Sequence, residues 1–91
     1  MTDINETLKE RGNNYGKFSN HALLTQKFKA IMRSSNSWSN LTPSMKECLE
    51  MVQHKIARIL NGNPDYIDSW HDIIGYVSLV EKELLDSQKK Q

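Results

Sequence analysis

The chain has 91 residues, with 12 Lys and Arg against 11 Asp and Glu, and its apolar runs are short. This length supports one domain with a thin core. The balanced charge argues against a protein that coats DNA or RNA, and no segment is long and apolar enough to span a membrane. We therefore expect neither a long nucleic acid nor a membrane as partner, whereas a small anion needs only a few local cations.

Cysteine content and the N-terminus predict the compartment. The single Cys48 cannot form a disulfide within the chain, which fits a reducing environment. The first residues, MTDINETLKE, lack the basic start and apolar run of a signal peptide. We predict a cytoplasmic protein, and because thin cores are often completed by a second copy, a homo-oligomer.

Apolar spacing in the first half predicts two helices and no strand. A short helix over residues 3–11 has Ile4 and Leu8 one turn apart and is expected to stop at Arg11–Gly12. The segment RGNNYGKF that follows predicts a tight turn. The next helix is predicted from about Asn20 to Arg33, where the Ser- and Asn-rich SSNSWSN ends it.

Two longer helices are predicted in the second half. Thr42 is a good N-cap with Pro43 behind it, and Gly62 suits a left-handed C-terminal cap. The last helix is expected to begin at an N-cap, Asp68, to run to about Asp86, and to bury a stripe of Trp70, Ile73, Ile74, Val77, Val80 and Leu84.

These elements predict an all-α fold, a small bundle of three to four helices completed by homo-oligomerisation. The single domain, 1–91, divides into a short helix and turn over 1–18, a helical core over 19–86 and a frayed tail over 87–91.

Carboxylates at helical spacing raise the question of a metal. In the last helix Asp68 lies one turn before Asp72, a spacing that suits Mg²⁺; alternatively Asp68, as the N-cap residue, starts the helix and Asp72 complements its dipole, and the cap is favoured for Asp68. In the third helix Glu50 and His54 are four residues apart, and they could ligate one metal or belong to a solvated face that includes Glu47. The sequence leaves the presence of a metal open.

Cations near apolar positions suggest a phosphate site. Lys55 and Arg58 lie near the end of the third helix, where they complement the dipole or clamp a phosphate. The RGNNYGKF segment adds Arg11, Tyr15 and Lys17, and its glycines let backbone N–H groups approach an anion.

Aromatic and small polar residues complete the predicted site. Tyr15 is expected to stack on a base or cover the core edge, and Trp70 to lie in the core. The Asn-Gly and Asn-Pro joint brings the third helix to the start of the fourth, which predicts phosphate near Arg58, Ser69 and His71. A pocket shared between subunits would suit so thin a bundle. The predicted ligand-binding set is Arg11, Tyr15, Lys17, Lys55, Arg58, Ser69, Trp70, His71 and Tyr76.

Two sequence blocks, ERGNNYGKF and MVQHKIARILNGNPDYIDSWHDIIGYVSLV, resemble small phage and prophage proteins of uncharacterised function. The pattern runs ERG-x-x-YG-x-F, then KIARI, then DSW-x-DIAGYA. It is similar to the nucleotide-modification-associated domain of phages and, more distantly, to all-helical MazG-like nucleotide pyrophosphohydrolases. The resemblance covers most of the chain apart from the loop around Ser34–Asn40, and it implies a location in the bacterial host cytoplasm.

The MazG-like resemblance implies Mg²⁺ held by two helical carboxylate pairs. Glu47 and Glu50 stand for the first pair and Asp72 for the last acid of the second, with Asp68 an offset substitute. Ser69 occupies the place where that second pair needs Glu, so the two-ion site is incomplete and Mg²⁺ is a cofactor only if the protein is an enzyme.

Three functions follow as expectations. The first is binding of a nucleotide or nucleotide-derived signal without turnover, which in a phage would sequester a host immune signal or serve nucleotide metabolism. The alternatives are a Mg²⁺-dependent nucleoside triphosphate pyrophosphohydrolase using Glu47, Glu50, Asp68 and Asp72, and a protein-binding inhibitor of a host target. The missing carboxylate favours the first over the second.

Overall fold

The computed structural model describes residues 3–89. Within that range it contains no strand, a short 3₁₀ turn at Trp38–Asn40, and four α-helices: α1 (Ile4–Tyr15), α2 (Phe18–Arg33), α3 (Pro43–Asn61) and α4 (Ile67–Lys89). Helix α3 packs against the other three. The predicted all-α bundle is confirmed.

Capping side chains start two of the helices. The Asp3 carboxylate accepts from the Asn5 backbone N–H ahead of α1. The Thr42 hydroxyl accepts from the Met45 N–H ahead of α3, with Pro43 in the first helical position, as predicted. Each cap satisfies a donor that has no partner within its helix.

The boundaries of the first two helices differ from the prediction. Helix α1 continues through Gly12 to Tyr15, and the chain turns only at Gly16, where φ is 79°. A glycine inside a helix costs about 1 kcal/mol relative to alanine, and the docking of the end of α1 on the α3–α4 joint offsets that cost. Helix α2 begins at Phe18, two residues before the predicted start.

The joint and α4 also differ from the prediction. Gly62 has φ −131°, so it is not a left-handed cap. Asp68 lies inside the first turn of α4 rather than at its N-cap. Residues 87–89 continue the helix instead of forming a frayed tail, and the rest of the predicted tail, Lys90 and Gln91, lies outside the described residues.

The interior of the bundle is largely polar. Among residues 3–89 the buried hydrophobic residues are Cys48 and Ala57, while the buried polar ones are His21, Thr25, Gln53, Lys55 and Ser69. The prediction of a buried α4 stripe is wrong for Trp70, Ile74, Val77 and Leu84, which are exposed. Helix α4 packs mainly on α3, so only one side of its wide apolar arc meets protein.

Candidate functional site

The α3–α4 joint holds the end of α1. The Asn61 side-chain amide donates to the Tyr15 carbonyl at 3.0 Å and to the Lys17 carbonyl at 2.9 Å. The Asn63 backbone N–H donates to the Asn14 carbonyl at 2.7 Å. The two glycine-containing segments, NNYG and NGN, therefore fasten α1 and the start of α2 to the end of α3.

Two glycines allow this close approach. A Cβ built on Gly16 would overlap the Asn61 carbonyl, and one on Gly62 would overlap the backbone of Asn14 and lie 2.5 Å from Tyr15 Cα. Backbone atoms cannot yield to such an overlap as a flexible side chain can. Gly62 is thus required for contact with α1 rather than for a left-handed conformation.

A cavity of about 660 Å³ lies beside this joint. It is enclosed by α1, the first turn of α2 and the second half of α3. Its lining residues are Ile4, Thr7, Leu8, Arg11, Gly12, Tyr15, Gly16, Lys17, Phe18, His21, His54 and Arg58. Its volume falls within the range of small-molecule sites.

The charge of the cavity lining is entirely positive. Arg11, Lys17 and Arg58 line it, and no Asp or Glu does. In the part of the chain that the structure describes, the salt bridges are Arg33–Glu50 and Lys55–Asp72, so these three cations have no carboxylate partner. Arg11 and Lys17 precede Arg58 by 47 and 41 residues in sequence, and the docking of α1 brings the three cations to one cavity.

Aromatic rings position Arg58. Its guanidinium carbon lies 4.1 Å from the centre of the Tyr15 ring, a cation–π contact. The Tyr66 ring meets Tyr15 edge-on at 5.8 Å. The Tyr66 hydroxyl donates to Asp68 Oδ2 at 3.1 Å, and this hydrogen bond raises the pKa of Tyr66. Tyr15 thus serves as a platform for Arg58 on one side of the cavity.

Two histidines form the inner wall. His21 Nε2 and His54 Nδ1 are 3.4 Å apart, and the rings meet edge to face. Burial, and then the positive charge of Arg58, lowers the pKa of His21. Burial and Arg58, followed by the other nearby cations, lower the pKa of His54 to about 4. Both imidazoles are therefore neutral at pH 7.

One of these imidazoles has an unused nitrogen. His21 is only 6% exposed, and its Nδ1 has no hydrogen-bond partner among residues 3–89. If the His21 Nε2–H donates to His54, this Nδ1 is a bare acceptor. A buried acceptor without a partner costs free energy.

Lys55 belongs to a different face of α3. It is 8% exposed, and its Nζ lies 2.7 Å from Asp72 Oδ2 of α4. Hydrogen bonding to this ammonium group lowers the pKa of Asp72. Lys55 does not line the cavity, so the structure separates it from Arg58, with which the sequence prediction grouped it.

The predicted residues of α4 also lie apart from the cavity. Ser69 is buried, and the Trp70 indole N–H donates to the Pro64 carbonyl at 2.8 Å while the side chain is 53% exposed. The expectation of a core Trp70 is therefore wrong, because this indole covers the joint from outside. His71 and Tyr76 line an open groove along α4 with Asp72.

The four carboxylates expected for a two-ion site do not meet. Glu50 pairs with Arg33 at 3.2 Å, Asp72 pairs with Lys55, and Asp68 accepts from Tyr66. Glu47 lies in a groove near Glu83. Across residues 3–89, no group of three His, Cys, Asp or Glu side chains could hold a metal ion. Glu50 and His54 are directed to different neighbours, Glu50 to Arg33 and the His54 Nδ1 to His21.

Sequence reasoning missed His21, Phe18 and Asn61. His21 precedes Leu24 and Phe28 at helical spacing, and a polar residue in an apolar stripe signals a buried polar contact. Phe18 begins the same helix and lines the cavity. Nothing in the local sequence shows that Asn61 binds carbonyl groups more than 40 residues away.

The fold and the cavity define a small all-α protein with a positively charged concave surface. No helix within residues 3–89 is long and apolar enough to cross a membrane. The model of a family described as DUF6378, a domain of unknown function, matches residues 1–84, and the chain belongs to this family. No curated protein and no solved structure matches this chain.

Proposed function

We propose that the protein binds a small phosphate-bearing molecule, a nucleotide or a nucleotide-derived signal, in the cavity between α1, α2 and α3, without turning it over. One observation carries this proposal: Arg11, Lys17 and Arg58 line a cavity without a carboxylate and without an ion-pair partner in the described residues. Three such cations repel one another, and a bound phosphate relieves that repulsion.

The apolar part of the lining supports a nucleotide rather than inorganic phosphate. Phe18 and Leu8 are exposed at the cavity, and an aromatic ring can stack on a base. Arg58, held over Tyr15, presents a planar fork to phosphate oxygens. The ligand class is thus an anion joined to an apolar ring system, which the resemblance to a nucleotide-modification-associated domain also suggests.

Binding without turnover is proposed because the cavity lacks carboxylates. A MazG-like site needs paired acids to hold Mg²⁺ and orient water, and Glu50 and Asp72 are engaged in separate salt bridges. The proposed unit is a homo-oligomer, since the described part of a single chain buries so few apolar side chains. As in the sequence prediction, sequestering a host signal in the cytoplasm fits such a binder.

Calorimetry with a panel of nucleoside mono- and triphosphates and cyclic nucleotides tests the proposal. We expect Arg58→Ala and Lys17→Ala each to weaken binding by roughly 10- to 100-fold, as for loss of a charge-assisted hydrogen bond of about 1.5–3 kcal/mol. Arg33→Ala is the matched control, because Arg33 pairs with Glu50 outside the cavity. Wild-type affinity in both cavity variants, or an equal loss in the control, contradicts the site.

Mass spectrometry separates the proposed function from its alternatives. The protein is incubated with the same panel with and without Mg²⁺, and both the solution and the heat-denatured protein are analysed. Intact ligand released from the denatured protein supports binding, and pyrophosphate with a nucleoside monophosphate identifies the hydrolase. If neither intact ligand nor hydrolysis products are detected, the protein-binding inhibitor is favoured.

A further inference from the structure

An apolar stripe runs along α3 on the side away from the cavity. Leu49, Ile56 and Leu60 repeat at helical spacing and are all exposed. Ile56 is two residues from both His54 and Arg58, which corresponds to about 200° around the helix. Because His54 and Arg58 line the cavity, this stripe faces the opposite direction.

Helix α4 widens the stripe at Leu49. A groove of about 390 Å³ between α3 and α4 is lined by Leu49, Val77, Leu84 and Leu85, with Glu81 and Gln88 its polar lining residues. We call Leu49, Ile56, Leu60, Val77, Leu84 and Leu85 the α3–α4 face. Exposed Leu and Ile are normal when scattered, but a contiguous set marks an interaction surface.

The exposed area of the chain is too large for a monomer of this size. The chain has 6986 Å² of accessible surface, whereas a compact monomer of 10.5 kDa exposes about 5,400 Å². Its radius of gyration is 15.9 Å against about 12 Å for 91 residues. The excess for two chains is roughly 3,000 Å², which is the size of an obligate homodimer interface.

The absence of an apolar core identifies the partner as another copy. Among the described residues no large side chain is fully buried, and the buried hydrophobic residues are Cys48 and Ala57. A domain this small needs further apolar burial to be stable. A second copy is present wherever the chain is made, whereas a different partner is not, so self-association meets this requirement at all times.

We infer that the α3–α4 face is the two-fold interface of a homodimer, and that the two cavities open on its outer sides. Each cavity is then built from one chain. This differs from the pocket shared between subunits that the thin bundle suggested, because the cavity and the α3–α4 face lie on opposite sides of α3. A two-fold interface meets its own copy, so each substitution acts twice in the dimer.

Light scattering after gel filtration tests the interface. The wild-type protein is expected at twice the chain mass of 10.5 kDa at micromolar concentration, with a melting temperature that rises with concentration. Leu49→Glu with Leu84→Glu is expected to abolish the dimer. Leu79→Glu is the matched control, because Leu79 is exposed on α4 but lines other grooves.

A second pair of variants, with alanine in place of glutamate, is used in case the glutamate variants do not fold. Leu49→Ala with Leu84→Ala is expected to raise the dimer dissociation constant at least ten-fold, and Leu79→Ala to leave it within two-fold. Leu49 and Leu84 are 42% and 41% exposed, so they also pack within one chain and their loss costs the monomer some stability. If the double variant does not fold, the rise of the wild-type melting temperature with concentration decides instead.

A monomeric wild-type protein at every concentration overturns the inference. So does a dimer that persists in the folded Leu49→Glu, Leu84→Glu variant, or one that Leu79→Glu disrupts equally. None of these measurements uses a ligand, so failure of the interface leaves the phosphate-binding proposal intact, and failure of the calorimetry leaves the interface intact.

Discussion

The buried histidine pair predicts that this protein loses stability as the pH falls from 6.5 towards 4. His54 is half-buried, and its Nδ1 faces His21 Nε2 at 3.4 Å. Its pKa falls from the ordinary 6.5 to about 4, first through burial and then through Arg58. The unfolded chain, in which the pKa returns to about 6.5, therefore takes up the proton before the folded chain does.

This order of protonation sets the direction in which the free energy of unfolding changes with pH. Between pH 6.5 and about 4 the unfolded state binds more protons, so the free energy of unfolding rises with pH across that window. The contribution of neutral His54 is complete above pH 6.5 and is lost as the pH falls towards 4. The lowered pKa of His21 acts in the same direction.

The size of the pKa change sets how much stability is lost on acidification. A fall from 6.5 to about 4 corresponds to at most about 3.4 kcal/mol. Because His54 is only half-buried, solvent screening reduces this to roughly 1.5 kcal/mol. That loss is a sizeable part of the total stability of a small domain, which is about 5–15 kcal/mol.

Urea unfolding followed by circular dichroism at pH 4.5, 5.5, 6.5 and 7.5 measures the effect. Replacing His54 by Gln removes the titrating group, so the variant should lose about 1.5 kcal/mol less than the wild type between pH 7.5 and 4.5. The informative quantity is the slope with pH, since the substitution also changes packing at every pH.

His71→Gln is the matched control, because it removes an exposed histidine of α4 and leaves the buried pair intact. Its pH profile should run parallel to that of the wild type. Parallel profiles for wild type and His54→Gln, or a wild-type protein that becomes more stable between pH 6.5 and 4.5, would refute the reasoning.

Two substitutions test the joint and the separation of the two faces of α3. Asn61→Ala removes two hydrogen bonds to the Tyr15 and Lys17 carbonyls and should lower the free energy of unfolding by about 2 kcal/mol, seen as a lower urea midpoint. The control, Asn13→Ala at an exposed position, should leave the midpoint unchanged. Equal midpoints for the two variants would contradict the role of Asn61 in holding the joint. Lys55→Ala removes the ion pair with Asp72 and should lower the urea midpoint, but it should leave the affinity measured by calorimetry unchanged. A ten-fold loss of affinity would place Lys55 in the site after all.

Much of the fold could be predicted because its signals are local. Thr42 and Pro43 mark the start of α3 through the geometry of its first turn, and the structure agrees. The end of α1 could not be predicted in this way. Gly12 resembles a stop signal, yet the helix passes through it and ends where Asn14 and Gly16 meet Asn61 and Gly62. That boundary is set by a contact between distant parts of the chain.

The candidate site likewise has a part that the local sequence predicts and a part that depends on contacts between distant residues. Arg11, Tyr15 and Lys17 are close in sequence, so any structure that docks this segment brings them together. Lys55 and Arg58 are one helical turn apart, and their proximity suggested a common phosphate clamp. Three residues turn the helix by about 300°, enough for Lys55 to reach α4 while Arg58 reaches Tyr15. Which neighbour each cation meets depends on the packing of α1 and α4.

The exposed stripe of α4 shows how periodicity predicts burial without saying what covers it. Ile74, Val77 and Leu84 have the spacing of a buried face, and the single chain leaves them in solvent. Helix α3 places polar Gln53 and Lys55 among its buried residues and directs Leu49, Ile56 and Leu60 outwards. A sequence that keeps strong apolar patterning on surfaces its own fold does not cover implies burial beyond the single chain. In the homodimer that we infer, the α3–α4 face forms the apolar interior, and the polar centre of each chain shapes the cavity.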